Sequence, residues 1–321
     1  MTLWQDRTVL VTGAGGYIGS ALAAALVSAG AQVIRLSRRE LAPMRGARDV
    51  IGDPRRTETW SGSVVEAETV FHLAGETSTY AALADPPASL EANVLPLAHL
   101  AQAFRKAGRV PVVVAASSCT VFGIQDRLPV SDGASVHPLS HYDAHKLMAE
   151  MQLAQDQREG FVKGCALRLA NVYGLGPTGQ GAVDRGILDR MVRKALAGEP
   201  ITLYGDGAPL RDYVHLDDVV AAFMAAALSP ACWTGQPMMV ASGRGYSLAE
   251  AFGLAARRVS LAVGREPVPL VSVPWPASAH AIEFRDFVGS PDRLRTLAGW
   301  GAATELVDGI DRTIQALTRM Q

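Results

Sequence analysis

Residues 8–12, Thr-Val-Leu-Val-Thr, form a short apolar run, the pattern of a strand buried on both faces of a parallel sheet. A glycine-rich turn follows at once, Gly13-Ala14-Gly15-Gly16-Tyr17-Ile18-Gly19. The Ala- and Leu-rich stretch 20–29 predicts a helix, with Gly30 as its stop signal. A second strand is predicted over 32–36. Apolar runs at 69–73, 110–115 and 165–169 predict further strands, and segments 90–107 and 144–158 predict helices between them. This alternation, sustained to about residue 170, predicts an α/β fold with a doubly wound parallel sheet. After Val172 the pattern changes. Gly and Pro cluster at 174–181, a loop signal, and short strands and helices mix beyond it. The expected organisation is a nucleotide-binding domain over 1–172 and a smaller C-terminal α/β substrate-binding lobe made mainly from 173–321. The apolar run 219–228 reads as another core helix, so 215–240 are expected to return to the first domain.

Strand, glycine turn, helix and strand in this order are the context that a dinucleotide-binding fingerprint needs. Gly13 would permit the tight turn, Gly16 would let backbone approach a pyrophosphate, and Gly19 would let helix and strand pack closely. The helix N-terminus adds free N–H groups and a positive dipole end for phosphate. A plain glycine-rich turn is the alternative, and the correct flanks argue against it. An NAD site often carries an acidic residue at the end of the second strand to bind the ribose 2′-hydroxyl. Here Ser37 stands at that place, followed by Arg38 and Arg39. An arginine fork suits a 2′-phosphate, so NADP(H) is favoured, with NAD(H) as the alternative. The competing reading of the two arginines is a solvated basic turn. Glu40 lies too far along to serve the ribose.

The composition excludes several classes. The chain has 321 residues, 30 basic and 31 acidic, and a net charge of −1, which gives no electrostatic case for nucleic acid or an acidic membrane surface. Half of it is apolar, enough for a large core or two ordinary ones. Cys119, Cys165 and Cys232 are scattered without disulfide or zinc spacing, so no metal site and a reducing cytoplasm are expected. The N-terminal residues lack the basic-then-apolar pattern of a secretion signal, and no apolar run is long enough to span a bilayer.

Tyr142 and Lys146 make a Y-x-x-x-K step, with Ser117-Ser118 lying 24 to 25 residues upstream. Four residues are about one helical turn, so both side chains would share a helix face. A lysine ammonium beside a phenol favours the phenolate and lowers a pKa of about 10. That makes the tyrosine usable as an acid/base near neutral pH. A serine hydroxyl nearby could hold the oxygen of a reacting alcohol or ketone. The step alone is weak evidence, and it gains weight from the nucleotide turn before it.

The motifs in sequence then resemble those of the extended branch of the short-chain dehydrogenase/reductase family, the nucleotide-sugar epimerases, dehydratases and ketoreductases. They are Thr12 to Gly19, Gly52-Asp53, Phe71-His72-Leu73-Ala74-Gly75, Asn93 and Ser117-Ser118-Cys119-Thr120-Val121-Phe122-Gly123. Tyr142 to Lys146, Arg168 to Gly174, Tyr204-Gly205-Asp206-Gly207 and Arg211 to Asp218 complete the series. The resemblance runs nearly end to end and implies a Rossmann-type sheet. It implies Ser118, Tyr142 and Lys146 as the catalytic group, with Ser117 as the alternative to Ser118. It places Gly13, Gly16, Tyr17, Ile18, Gly19, Ser37, Arg38, Asp53, Leu73, Ala74, Gly75 and Asn93 at the cofactor, together with Tyr142 and Lys146. Asp53 would contact the adenine amino group, or else close a turn before Pro54. Asn171 and Arg211, with Ser118, would bind a nucleoside-diphosphate sugar, though Asn171 could be a plain turn residue. His72 reads as a packing residue, Cys119 as a buried thiol, and Asp217 or Asp218 as a helix N-cap. The family commonly dimerises through two helices per subunit, for which 90–107 and 144–158 are the candidates, so a homodimer is expected.

The implied reaction is hydride transfer at a sugar carbon, usually C4, with proton transfer through the tyrosine. Dehydratases of the family follow the catalytic hydroxyl with Asp-Glu, where this chain has Cys119-Thr120, so a 4,6-dehydratase is disfavoured. The serine segment is closer to the 4-epimerases, while Arg38 and Arg39 pull toward an NADPH-consuming 4-ketoreductase. Leu95-Pro96 and His141 depart from the usual pattern. The alternatives are a dehydrogenase of an apolar, steroid-like alcohol and a cofactor-bound regulator without catalysis.

Overall fold

The structure, a computed structural model, describes residues 3–177 and 186–319. The first strands are β1 (Thr8–Thr12), β2 (Gln32–Ser37), β3 (Ala47–Ile51), β4 (Thr69–His72), β5 (Val112–Ser118) and β6 (Lys163–Leu169). Later come β7 (Asn171–Tyr173), β8 (Ile201–Tyr204), β9 (Leu210–His215), β10 (Met238–Val240), β11 (Gly245–Ser247) and β12 (Leu270–Val273). Seven of them form one parallel sheet in the order β10-β6-β5-β4-β1-β2-β3. The strand order reverses between β1 and β4, and open α/β sheets bind ligands at the carboxyl ends of the strands at such a point.

The helices are α1 (Tyr17–Ser28), α2 (Thr79–Ala84), α3 (Pro86–Asn93), α4 (Leu95–Lys106) and α5 (His141–Arg158). They continue with α6 (Ile187–Ala197), α7 (Leu216–Leu228), α8 (Leu248–Val263), α9 (Asp292–Ala298) and α10 (Leu306–Arg319). Both faces of the sheet are covered. Val9 and Val11 turn to one face, where they pack with Leu22, Leu26 and Phe223 of α1 and α7. Leu10 turns to the other and packs with Leu97, Leu100 and Phe104 of α4 and Leu153 of α5. This two-sided burial is why the strands read as unbroken apolar runs.

The segment 90–107, expected as one helix, is two. The break falls at Val94, because Pro96 in the first turn of α4 has no N–H to give back to the preceding turn. Helix α5 starts three residues before the expected position, at His141. Ser140 caps it by accepting from the Asp143 amide (3.2 Å), while the Asp143 carboxylate accepts from the Ser140 amide (3.0 Å). Of α7 the N-cap is His215, whose Nδ1 accepts from the Asp217 amide (3.2 Å), so neither Asp217 nor Asp218 caps it; both lie in its first turn. The glycine- and proline-rich stretch 174–181 lies partly outside the described residues.

A second core gathers Tyr173, Val192, Ile201, Phe252, Val259, Ile310 and Ile314 around two small sheets, β11-β9-β7 and β12-β8. The chain passes repeatedly between the two cores. Helix α7 and strand β10 lie in the first, β10 pairing with β6, and Phe287, Leu294 and Trp300 return to it again.

Candidate functional site

The glycine turn sits at the carboxyl end of β1. Gly13 has φ +67°, and a Cβ there would lie 2.9 Å from the Ala74 amide nitrogen. A Cβ on Gly19 would lie 2.2 Å from the Gly13 carbonyl oxygen. A side chain at Gly13 would push the turn off the end of β4, and one at Gly19 would push α1 off the turn, so both close approaches need glycine. Gly16 and Ile18 lie within this turn and the first turn of α1. The Tyr17 side chain turns away from it and donates to the Gly174 carbonyl (2.5 Å), tying the turn to the entrance of the second lobe. Burial, with Asp189 and Asp217 nearby, pushes the Tyr17 phenol far above its ordinary pKa, so it stays a donor.

At the end of β2, Ser37 Oγ accepts from the Arg39 amide (3.2 Å) and faces the glycine turn beside Gly15. Asp53 is engaged by Arg55, whose Nε and Nη2 reach its carboxylate at 3.0 and 2.6 Å. These bonds, foremost that of the Arg55 side chain, hold Asp53 below the usual carboxylate range, and Arg38 lies close enough to add to the effect. An adenine amino group would share this carboxylate with Arg55.

The carboxyl end of β4 is organised by Thr12. Its Oγ1 accepts from the amides of Leu73 and Ala74, both at 3.1 Å. Its own hydrogen is then left for His72 Nδ1, 3.0 Å away. His72 is therefore the Nε2–H tautomer. Burial, and after it the Lys146 charge, lowers its pKa to about 3. It is neutral, and its buried Nε2 has no hydrogen-bond partner among the described residues.

Gly75, just beyond, lies between Asn93 and Lys146. A Cβ there would be 2.6 Å from Asn93 Oδ1 and 3.3 Å from Lys146 Nζ. Asn93 donates to the Ser89 carbonyl (2.9 Å), while its buried Oδ1 has no partner among the described residues. Helix α5 presents Tyr142 and Lys146 on one buried face. The ammonium sits 5.8 Å from the Tyr142 ring centroid and reaches the Ala116 carbonyl at 3.4 Å. The two serines separate by strand alternation. Ser117 gives its hydroxyl to Glu150 (2.5 Å) in the interior. Ser118, half-buried on the other face, pairs with the Thr120 hydroxyl (2.9 Å). Ser118 is thus the serine turned away from the interior network.

Above this lies a basic floor. Arg211 on β9 is buried and donates to the carbonyls of Leu210 (2.9 Å), Arg285 (2.5 Å) and Glu283 (2.6 Å). Desolvation, and then the neighbouring Arg285 charge, lowers its pKa. Arg285 donates to the Ile282 carbonyl (2.9 Å) and approaches Cys119 Sγ (3.8 Å), and its Nε has no partner among the described residues. Two buried guanidiniums side by side, with carbonyl dipoles but, among the described residues, no carboxylate bonded to them, suit a dianionic ligand. Asn171 opens β7 in register with Tyr213, two residues beyond Arg211 on β9. Sequence reasoning passed over Arg285, because Phe-Arg-Asp in a loop has no signature. It also missed Thr12 as an organiser and Arg55 as the partner of Asp53. Burial pushes the Cys119 thiol up, so it is a poor acid/base.

The cradle fits a dinucleotide. The turn leaves no room for side chains, Gly75 brings bare backbone up against Asn93 and Lys146, and the buried Asn93 Oδ1 has no partner among the described residues. The comparisons agree. The model of the NAD dependent epimerase/dehydratase family matches residues 9–240. The chain is 30% identical to a UDP-glucose 4-epimerase of Mycolicibacterium smegmatis, over 95% of this chain and 97% of that protein. Its fold is similar to that of MoeE5 in complex with UDP-glucuronic acid and NAD, with TM-score 0.81, 30% identity, and 98% and 100% of the two chains covered. It is also similar to the UDP-glucose 4-epimerase of Thermotoga maritima with UDP-glucose, with TM-score 0.82, 26% identity and coverage of 98% and 99%. The chain belongs to the NAD dependent epimerase/dehydratase family, in the extended branch of the short-chain dehydrogenases/reductases.

Proposed function

We propose that this chain is an NAD(P)-dependent 4-epimerase of a nucleoside-diphosphate sugar. The observation that supports the reading is the pairing of Tyr142 and Lys146 on the buried face of α5, with Lys146 beside Gly75, in a chain similar end to end to UDP-glucose 4-epimerases. Gly13 to Gly19 would hold the pyrophosphate, with Leu73, Ala74, Gly75, Asn93 and Lys146 along the nicotinamide half. Bound there, NAD(P) supplies the hydride acceptor and, once reduced, the hydride donor. Tyr142 takes the proton of the C4 hydroxyl and later returns it, helped by the Lys146 charge, which favours the phenolate. Ser118 hydrogen-bonds the same oxygen and holds it in line. Arg211 and Arg285, with Asn171, hold the diphosphate, so the sugar can present either face while its nucleotide stays fixed.

Cys119 and Thr120 leave no carboxylate pair to drive loss of water, which argues against a dehydratase. The finer cofactor reading is NADP(H), supported by Ser37, Arg38 and Arg39. That same observation favours a second reaction, reduction of a 4-keto sugar by NADPH. Purified protein decides between them. Interconversion of UDP-glucose and UDP-galactose without added dinucleotide supports the epimerase, whereas stoichiometric NADPH consumption with a 4-keto sugar supports the reductase. Leu95 on α4 (41% exposed) and Met148 and Met151 on α5 (44% and 63%) are exposed apolar side chains on the two helices expected to form a homodimer. Among the described residues no helix is long and apolar enough to cross a membrane. The three cysteines are buried and unpaired, which suits a reducing cytoplasm.

A further inference from the structure

We infer that Glu150 is a positioning residue that fixes the separation of Tyr142 and Lys146 on α5 from Ser118 on β5. The inference rests on the catalytic roles proposed above and adds a residue that does not touch substrate.

Glu150 stands one turn beyond Lys146 and two beyond Tyr142 on the buried side of α5. Its Oε1 accepts from Ser117 Oγ (2.5 Å) and Arg168 Nε (2.9 Å), and its Oε2 from Arg168 Nη2 (2.7 Å). Ser117 and Arg168 are neighbours across β5 and β6, their Cα atoms paired in register. One carboxylate therefore ties the catalytic helix to the ends of two strands. Ser118 is the next residue on β5, so the same tie sets its place.

The link continues outward. The Arg168 guanidinium lies 4.6 Å over the Phe122 ring, and Phe122 stacks on Phe287 at 6.4 Å. Arg285 lies 5.9 Å from the Phe287 ring. The interior pair thus touches the wall carrying the guanidiniums assigned to the diphosphate. Ser117, Lys146 and Glu150 also line one cavity of about 10 Å³, room for about one water, so the packing between helix and strands leaves little slack.

Stability is a poor account of this ion pair. Two buried charges lose most of their attraction to desolvation, and well-packed apolar replacements are often neutral or stabilising. What such replacements lack is direction. A carboxylate with three fixed donors sets a distance, and a misplacement of about 1 Å in a catalytic group can cost about 100-fold in rate.

The test compares Ser117→Ala and the double variant Glu150→Leu/Arg168→Met with wild type. Melting temperature, kcat and KM for UDP-glucose are measured, together with the Tyr142 titration by NMR of protein carrying ¹³Cζ-labelled tyrosine, which needs no sugar. The expected result for the double variant is unchanged melting, KM within about threefold and kcat lower by at least about 30-fold. For Ser117→Ala, where the ion pair stays and folding is safe, kcat falls by about fivefold at constant KM. The Tyr142 titration midpoint moves by at least about 0.5 unit in both, as its distance to the lysine changes. A folded double variant, or Ser117→Ala, with wild-type kcat and an unmoved titration would overturn the inference. If the titration moves although wild type does not turn over UDP-glucose, the positioning role stands and the 4-epimerase reading falls.

Discussion

Thr12→Val should damage stability and cofactor binding together. Valine keeps the branched shape inside β1 but removes Oγ1, on which three hydrogen bonds converge: from the Leu73 and Ala74 amides at 3.1 Å and to His72 Nδ1 at 3.0 Å. Thr12 is fully buried and His72 nearly so, whereas Leu73 and Ala74 are half-buried. Counting about 1 kcal/mol for each amide and about 2 kcal/mol for the ring nitrogen left without a donor gives a loss of about 4 kcal/mol. Unfolding entropy of about 2.1 cal/mol/K per residue gives about 0.67 kcal/mol/K for 321 residues, so the melting midpoint should drop by about 6 °C. Scanning calorimetry measures this directly. Thr12→Ser keeps the hydroxyl and should lose much less. Because the two amides hold the strand end that leads to Gly75, dinucleotide affinity, read by fluorescence titration, should fall by about tenfold in the valine variant, about 1.4 kcal/mol. A valine variant that melts within 2 °C of wild type, or a serine variant that is equally damaged, would refute the hydrogen-bond account.

Other outcomes follow from the same geometry. Tyr142→Phe should bind dinucleotide normally but lose about 100-fold or more in kcat for C4 chemistry, measured as interconversion of UDP-sugars; unimpaired turnover sinks the mechanism. Gly75→Ala places a methyl group 2.6 Å from Asn93 Oδ1 and 3.3 Å from Lys146 Nζ, so dinucleotide binding by calorimetry should weaken while urea stability changes little. His72 has its folded pKa lowered from 6.5 to about 3, so it contributes stability above pH 6.5 that is lost as pH falls toward 3. Urea unfolding at pH 7 and 5 should show wild type losing more stability than His72→Gln, by at most about 1.4 kcal/mol per pH unit; equal slopes count against the buried neutral imidazole. Ser37→Asp with Arg38→Ala should lower affinity for NADPH relative to NADH, and an unchanged ratio of dissociation constants removes the case for a 2′-phosphate site.

The sequence alone determined what depends on neighbours along the chain. The apolar runs specified the inner strands of the first domain, because a strand covered on both faces has no polar positions to disguise it, whereas the largely exposed edge strand β3 carries no such run. The glycine turn was legible because Gly13 and Gly19 meet backbone where no Cβ fits, and Tyr142 and Lys146 because one helical turn fixes their relation. One local signal, Pro96, outweighed the periodicity that joined 90–107 into a single helix. Elsewhere local signals failed where a distant residue decided. His215 took the cap expected of an aspartate, because its ring is held in place by Tyr173, with which it packs at 5.2 Å. Ser117 and Ser118 differ by nothing in their surroundings along the chain. Only the packing of α5 on β5 and β6 sends one hydroxyl to Glu150 and turns the other outward. Arg285 had no motif at all, and it becomes a second cation beside Arg211 through a fold contact across 74 residues. Spacing along the chain can be read from the residues themselves, whereas distance across the fold exists only once burial has chosen which faces meet.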